Sequence, residues 1–171
     1  SPAVGGLVGI ASGGTIDKCY SNVKVVMAYY ANVGGLVGNM AESCILKNSY
    51  SFSSKDSGAA ESINVNSEIT AGGQSPSVGG LAGVCGIYCK IINCYATRNI
   101  YNYASGITIN IGGFVGYTSY ATIANCYSAS AFFGTGTATY IGAFAGYNTA
   151  SSKNYNSYCP FGTYSQCGVN N

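Results

Sequence analysis

The sequence predicts an all-β fold, a parallel β-solenoid (β-helix) of about five coils with one long loop insertion. Three observations lead to this prediction. A glycine doublet followed by a large apolar residue recurs five times, and a tyrosine follows each doublet at a nearly constant distance. The glycine, tyrosine, valine, threonine and asparagine residues of the chain also disfavour helix, and the β-branched and aromatic ones favour strand. Repeats with these properties stack one above another.

The repeats can be aligned on the doublets and on the tyrosines that follow them. The doublets begin at Gly5, Gly34, Gly79, Gly112 and Gly142, with Ala143 in place of the second glycine in the last repeat. The tyrosines follow at 15 or 16 residues and are Tyr20, Tyr50, Tyr95, Tyr127 and Tyr158. We therefore predict a single domain over 1–171, with coils that start near residues 4, 33, 78, 111 and 141.

The distance from each tyrosine to the next doublet varies much more. It is 14, 29, 17 and 15 residues along the chain, and the large value follows Tyr50. Insertions of this kind lie in loops on one side of a stack, so residues 52–77 are predicted to be a loop insertion. Short alternating stretches such as "KVVMAYY" and "ITINI" predict the strands. Residues 159–171 are a candidate C-terminal cap.

A solenoid places each residue about 4.8 Å from its equivalent in the next coil, so one structural role recurs in every repeat. One core column is predicted to contain Leu7, Leu36, Leu81, Phe114 and Phe144. A second is predicted to contain Ile16, Leu46, Ile91 and Ile123. The doublet glycines are expected to allow positive φ and close backbone approach at a bend.

Asparagine recurs two residues before the tyrosines, at a predicted bend. The members of this column are Asn48, Asn93, Asn125 and Asn156, with Lys18 in the first repeat. Asparagine tolerates the left-handed conformation, and stacked amides can share hydrogen bonds along the solenoid.

The combination of "GGLVG" with "IINCYA" or "IANCYS" resembles the GLUG motif, a short repeat of bacterial surface proteins. Five copies cover almost the whole chain, and the fifth ("IGAFAGYNTASSKNYNSYC") is degraded. Members of this family include cell-surface adhesins and the non-catalytic regions of secreted IgA-cleaving metallopeptidases. The resemblance implies a β-rich, extracellular, non-catalytic region whose motif residues are structural.

The composition argues against several function classes. Seven basic and five acidic residues give a net charge of +2 without a basic run, which does not favour nucleic acid or an anionic membrane as a partner. No apolar run approaches the ~20 residues of a membrane span, so membrane insertion is not expected. Eight cysteines without a C-x-x-C pair favour an oxidising, extracellular or cell-surface location.

Six of the eight cysteines are disulfide candidates, and the alternative is that the cysteines are buried small apolar thiols. Cys44 and Cys89 are equivalent positions in neighbouring coils, as are Cys94 and Cys126, and a spacing of ~4.8 Å lies within the disulfide range. Cys159 and Cys167 could close a short C-terminal loop. Cys19 and Cys85 have no stacked cysteine partner. Metal ligation is not expected, because the chain has no histidine.

The sequence predicts no catalytic residues and no cofactor. The acidic residues are Asp17, Glu42, Asp56, Glu61 and Glu68, and none occupies equivalent positions in neighbouring coils. A polysaccharide-cleaving site would require a carboxylate pair, which here means that Asp17 and Glu42 would have to meet. Without histidine, Ser-His and Cys-His nucleophile systems are excluded within this chain.

The tyrosine column admits two interpretations. Tyr20, Tyr50, Tyr95, Tyr127 and Tyr158, with Tyr101 and Tyr103 nearby in sequence, could form a stacking platform for sugars. The favoured interpretation is that the rings of the column stack on one another and seal the flank of the fold, because every coil carries the tyrosine at a fixed offset.

The predicted function is a non-catalytic extracellular structural repeat module, either a stalk or a subunit of a surface filament. The chain begins with Ser-Pro, within a few residues of its first repeat, so we expect a processed chain or an excerpt. Open sheet edges at the ends of a solenoid favour self-association head-to-tail or stacking on neighbouring repeats of a longer chain. The alternative is an adhesin module that binds carbohydrate or a host surface through the tyrosine-rich face and the 52–77 loop.

Overall fold

The computed structural model describes residues 2–27, 30–54, 60–65, 75–138 and 140–160. Within these residues it is a stack of five coils whose 23 short strands form five parallel sheets. The all-β parallel solenoid predicted from the sequence is confirmed. The part of the chain that the structure describes contains no helix with the length and hydrophobicity that a membrane span requires.

The first two sheets contain one strand from each coil and flank the glycine doublet. Sheet 1 consists of β1 (Ala3–Gly5), β6 (Asn32–Gly34), β11 (Ser77–Gly79), β16 (Asn110–Gly112) and β21 (Tyr140–Gly142). Sheet 2 consists of β2 (Val8–Ser12), β7 (Val37–Ala41), β12 (Ala82–Cys85), β17 (Val115–Thr118) and β22 (Ala145–Asn148). The doublets are in register, since Gly5 pairs with Gly34 and Gly79 with Gly112.

The remaining three sheets complete each coil. Sheet 3 consists of β3 (Thr15–Asp17), β8 (Ile45–Lys47), β13 (Lys90–Ile92), β18 (Thr122–Ala124) and β23 (Lys153–Tyr155). Sheet 4 consists of β4 (Tyr20–Ser21), β9 (Tyr50–Phe52), β14 (Tyr95–Thr97) and β19 (Tyr127–Ser128). Sheet 5 consists of β5 (Val25–Met27), β10 (Ile63–Val65), β15 (Asn99–Asn102) and β20 (Ala131–Phe133).

The segment predicted as a loop insertion, 52–77, is not a continuous loop. Strand β10 lies inside it and pairs in parallel with β5 on one side and with β15 on the other. Without β10, a gap of one strand would separate β5 from β15. The backbone N–H and C=O groups on the facing edges of those two strands would then lack hydrogen-bond partners. Residues 55–59 and 66–74 of the predicted loop lie outside the described residues, as do residues 161–171 of the predicted cap.

The doublet glycines are required for close approach, not for positive φ as the sequence led us to expect. Positive φ among described glycines occurs at Gly13, Gly14, Gly106 and Gly134, which are outside the doublets. At Gly79, an added Cβ would lie 1.9 Å from the carbonyl oxygen of Ala82. At Gly116, which closes the motif in the fourth coil, it would lie 2.5 Å from the nitrogen of Val78. The chain therefore reverses sharply at the doublet, and sheet 2 packs backbone to backbone on sheet 1.

The two predicted core columns are confirmed inside the stack. Leu36, Leu81, Phe114 and Phe144 are fully buried, and so are Leu46, Ile91 and Ile123. The rings of Phe114 and Phe144 stack with centroids 4.7 Å apart. Leu7, in the first coil, is 50% exposed because it has a neighbouring coil on one side only. A second apolar cluster fills the space between sheets 1 and 5 and includes Met27, Val33, Val65, Val78 and Ile100.

Candidate binding surface

The asparagine column forms a hydrogen-bonded ladder along the solenoid. The φ angles are 51° at Asn48, 54° at Asn93 and Asn125, and 45° at Asn156, so each asparagine is in the left-handed region. Each Nδ2 donates to the Oδ1 of the previous coil, from Asn156 to Asn125, from Asn125 to Asn93 and from Asn93 to Asn48, over 3.2–3.3 Å. Both roles expected for asparagine at this bend are confirmed.

The ladder ends on a carboxylate in the first coil. Asn48 Nδ2 donates to Asp17 Oδ1 at 2.8 Å, and Lys47 Nζ lies 3.5 Å from Asp17 Oδ2. The hydrogen bond from Asn48 and the charge of Lys47 lower the pKa of Asp17. All the amides therefore point in one direction, towards an exposed negative charge.

A second ladder is built from cysteine and serine at the position before each tyrosine. The side chains of this column donate to the carbonyl oxygen two residues earlier in Cys19, Ser49, Cys94, Cys126 and Ser157. The backbone N–H of one coil donates to the side chain of the next, from Cys19 to Ser49 Oγ, from Ser49 to Cys94 Sγ and from Cys126 to Ser157 Oγ. Thiols and hydroxyls therefore have the same role at this position.

The four cysteines that were candidates for disulfides between neighbouring coils are instead buried thiols, the alternative that the sequence left open. Cys44, Cys89, Cys94 and Cys126 are free thiols. Stacked parallel strands direct equivalent Cα–Cβ bonds alike, which disfavours the approach of two sulfur atoms to the ~2.05 Å of a disulfide. The sulfur atoms of Cys94 and Cys126 are also occupied by hydrogen bonds to backbone carbonyls. Cys159 is disulfide-bonded, and Cys167 lies outside the described residues.

The structure brings together one cysteine pair that the sequence did not indicate. Cys85 ends β12 and Cys89 follows a turn at residues 86–88; both are fully buried. The two thiols share a hydrogen bond, which lowers the pKa of Cys89 to about 7, while the same bond and burial raise the pKa of Cys85. The spacing of four residues around Gly86 was the signal available in the sequence.

The tyrosine column is a ladder of stacked rings on sheet 4. The ring centroids of Tyr20 and Tyr50 are 5.3 Å apart, and those of Tyr50 and Tyr95 are 4.7 Å apart, with interplanar angles of 9° and 6°. Tyr127 and Tyr158 continue the column in register. Tyr20, at one end, is 59% exposed, whereas Tyr95, in the middle, is 39% exposed. The ring of Tyr50 is therefore stacked between those of Tyr20 and Tyr95.

The other two tyrosines of the predicted face belong to a different sheet. Tyr101 lies on β15 in sheet 5, and its ring stacks on Phe133 of the next coil at 4.9 Å. The ring of Tyr103 lies 6.4 Å from that of Tyr101. Tyr103 and Phe133 are both exposed. The predicted face thus consists of a ladder on sheet 4 and a separate aromatic cluster on sheet 5.

A third group of tyrosines was missed by the sequence analysis. Tyr117 and Tyr147 pair in register on sheet 2, and Tyr140 lies on sheet 1 beside them. Together with Ser75, Thr108 and Asn110 they line a cleft of about 230 Å³. The signal available in the sequence was the tyrosine five residues after the doublets at Gly112 and Gly142. A second, open cleft of about 550 Å³ lies between the asparagine and tyrosine ladders in the last two coils.

The acidic residues do not form a paired site among the described residues. Asp17 stacks on Lys47 and not on Glu42, because Glu42 lies in the turn before β8 and its carbonyl accepts from Gly13 N–H in the first coil. Glu61 accepts from the Ser54 backbone N–H at 2.6 Å. Asp56 and Glu68 lie outside the described residues. The described part of the chain contains no cluster of three metal-ligating side chains.

Arg98, the single arginine of the chain, is fully buried between the coils. Its Nη1 donates to the Phe52 carbonyl at 2.7 Å and its Nη2 to the Val23 carbonyl at 2.6 Å. Burial lowers its pKa to about 10, against the opposing effect of the Glu61 carboxylate. Arg98 therefore joins three coils through backbone carbonyls and does not face a cleft.

Comparison with known proteins supports the repeat motif and the solenoid fold. The sequence model of the family described as "The GLUG motif" matches residues 1–26, 74–101 and 107–130. No curated protein matches the sequence. The fold is similar to that of a crystal structure at 1.30 Å described as "a putative immunoglobulin A1 protease from Bacteroides ovatus", with a TM-score of 0.61 and 24% sequence identity. The match covers 85% of this chain but 40% of that one, and at this identity it shows the fold alone. Three stretches of the chain therefore match the GLUG motif, and the described residues fold as a parallel β-solenoid.

Proposed function

We propose that this chain is a non-catalytic extracellular repeat module that acts as a stalk or as a subunit of a surface filament. One observation carries the proposal. The polar side chains that recur in every repeat are hydrogen-bonded to neighbouring coils, as the asparagine ladder and the cysteine–serine ladder illustrate. Side chains used in this way stabilise a rod.

The first coil leaves apolar side chains exposed at one end of the described stack. Leu7 and Val4 are 50% and 40% exposed, whereas their equivalents in the second coil, Leu36 and Val33, are fully buried. Another coil placed on this end would bury both side chains and pair the edges of β1–β5. That coil belongs either to a second copy in a head-to-tail filament or to neighbouring repeats of a longer chain.

The length of the similar structure also supports a module within a larger protein. This chain spans 40% of the length of the chain that it matches. The match to the GLUG motif supports a secreted or cell-surface location.

Electron microscopy of the protein without reducing agent tests the proposal. Head-to-tail assembly predicts filaments with an axial repeat of about 24 Å, that is, five coils at ~4.8 Å each. Leu7→Asp should abolish the filaments. Ile87→Asp is the matched control, because Ile87 is also 50% exposed but lies in a turn of the third coil. Dispersed particles at all concentrations would contradict the filament proposal. The remaining proposal would then be a stalk formed by repeats of a longer chain.

A second candidate function is an adhesin module. The exposed rings of Tyr103 and Phe133 favour it, because large apolar side chains on a surface often mark an interaction site. Binding to carbohydrate or a host surface should then be lost when Tyr101 and Tyr103, or residues 52–77, are removed. A glycan-cleaving activity that disappears in Asp17→Asn or Glu42→Gln would contradict both non-catalytic functions.

A further inference from the structure

The cleft lined by Tyr117, Tyr140 and Tyr147 is not explained by the requirements of the fold. The outward position of Tyr117 and Tyr147 on sheet 2 is occupied in the other three coils by Ile10, Asn39 and Val84. The solenoid therefore forms equally well with aliphatic and amide side chains at this position. This distinguishes the cleft from the tyrosine ladder, in which every coil has the same residue.

The position of Tyr140, which lines the cleft from sheet 1, also has other residues in the other coils. The residue equivalent to Tyr140 is Asn110 in the fourth coil and Ser77 in the third coil. Tyrosine occurs at this position in the last coil alone among the five. Two unrelated columns thus change to tyrosine at the same end of the stack, where the sharp reversal at Gly142 brings sheets 1 and 2 together.

The rings form two surfaces at an angle. Tyr117 and Tyr147 are parallel within 4°, with centroids 5.7 Å apart, so their two rings stack on each other. Tyr140 meets Tyr147 edge to face, at 5.0 Å and 62°. Tyr140 and Tyr147 are 44% and 38% exposed, so their rings are accessible to a ligand.

The lining has a consistent chemical character. Every one of the six lining residues carries a hydroxyl or an amide, and none is charged or aliphatic. Asn110 is 94% buried and its Nδ2 donates to Ser77 Oγ at 3.2 Å, which holds the amide in place at the base of the cleft. A ligand for this site must present an apolar face to the rings and several hydroxyl groups to the polar atoms.

We propose that this cleft binds one ring of a neutral glycan. A pyranose has an apolar C–H face, which packs on aromatic rings, and an equatorial rim of hydroxyls, which pair with amide and phenol groups. None of the six described lining residues is charged, which selects against sialylated and sulfated sugars. The inference concerns a site separate from the tyrosine ladder and the Tyr101 cluster, and it holds for a stalk as well as for an adhesin.

The test is a glycan array that contains neutral oligosaccharides and their sialylated and sulfated counterparts, probed with the full chain. Hits are then titrated by saturation-transfer NMR with the free oligosaccharide. We expect binding to at least one neutral glycan. Tyr117→Val and Tyr147→Asn, which introduce the residues found at this position in the third and second coils, should each weaken it at least tenfold.

Matched controls keep the outcome interpretable. Tyr155→Ala removes a tyrosine of similar exposure in the same coil, on sheet 3, and introduces the residue that Ala124 provides in the coil before. It should leave binding unchanged, and the thermal midpoints of all three variants should match wild type. Absence of any neutral hit, or binding that survives both cleft variants, would overturn the inference. Binding lost in Tyr101 and Tyr103 variants instead would also overturn it, while supporting the adhesin candidate.

Discussion

The backbone N–H of Ser49 donates a hydrogen bond to Cys94 Sγ, 3.5 Å away in the next coil. Ser49 Oγ and Cys94 Sγ each donate in turn to the carbonyl two residues earlier in their own coil, at 2.7 Å to Lys47 and 3.2 Å to Ile92. A hydroxyl and a thiol thus have one role at equivalent positions. The cysteines of this column belong to a hydrogen-bonded ladder and are not cross-links.

Cys94→Ser should therefore change the free energy of unfolding by less than about 1 kcal/mol, since serine reproduces the bonding of Ser49. Cys94→Ala should cost about 1–3 kcal/mol, because the Ser49 N–H loses its acceptor in a buried site. Urea denaturation of both variants measures the difference. Equal destabilisation by serine and alanine would show that the ladder bond does not matter.

Alkaline pH should destabilise the protein through the same column. Burial raises the pKa of Cys94 to about 11 and that of Cys126 to about 12, above an ordinary value near 9. The protonated thiols are favoured by folding, so their contribution is complete below pH 9 and is lost as the pH rises towards 12. The loss is about 1.4 kcal/mol for each pK unit of difference between folded and unfolded states.

The comparison that isolates this effect uses the double variant Cys94→Ser and Cys126→Ser. Its unfolding free energy, measured with urea between pH 8 and 11, should fall less steeply than that of wild type. Parallel curves for the two proteins would mean that other groups, such as Cys44, Cys85 and the tyrosines, account for the loss.

Gly79→Ala should destabilise the protein by at least about 3 kcal/mol, at the upper end of overpacking effects. The new Cβ would lie 1.9 Å from the Ala82 carbonyl oxygen and 2.7 Å from the Gly116 nitrogen, and backbone atoms of two coils cannot both withdraw. Gly14→Asn is the control, because Gly14 has φ of +71° and no atom within 4 Å of the added Cβ. Thermal unfolding of the two variants should separate them clearly.

Arg98→Met should cost about 2–5 kcal/mol, because it leaves the Phe52 and Val23 carbonyls without their donors in the interior. Lys90→Met, an exposed substitution on β13, should be within about 0.5 kcal/mol of wild type. A neutral or stabilising Arg98→Met would instead show that the cost of burying the guanidinium offsets its two hydrogen bonds.

Substitutions at Asn93 should separate the two roles of the asparagine ladder. Asn93→Gly keeps the left-handed conformation but removes the amide bonds to Asn48 and Asn125, at a cost of about 0.5–1.5 kcal/mol. Asn93→Ala should cost about 1–2 kcal/mol more, since alanine disfavours φ of 54°. Chemical denaturation of both variants gives the two contributions, and equal costs would mean that the backbone conformation is not strained.

The asparagine and cysteine columns show what could be predicted from the sequence and what could not. Asn93 and Asn125 could be assigned to one bend with shared amides, because the same residue recurs at the same offset. Cys94 and Cys126 could likewise be placed in one column. Their bonding could not be read from the spacing, because a disulfide depends on the direction of the Cβ–Sγ bonds and not on the distance between coils alone.

The sequence by itself determined the stack: five coils, their register, the two core columns and the bend asparagines. A parallel solenoid repeats each local environment at a fixed interval, so equivalent residues in the sequence are neighbours in space. Only the tertiary structure placed β10 inside the predicted loop and brought the free thiols of Cys85 and Cys89 together. It also buried Arg98 against carbonyls of other coils and formed the cleft at Tyr117, Tyr140 and Tyr147. These features arise where different strands of a coil meet. The angle of each bend decides which side chains come into contact there, and the repeat pattern does not encode that angle.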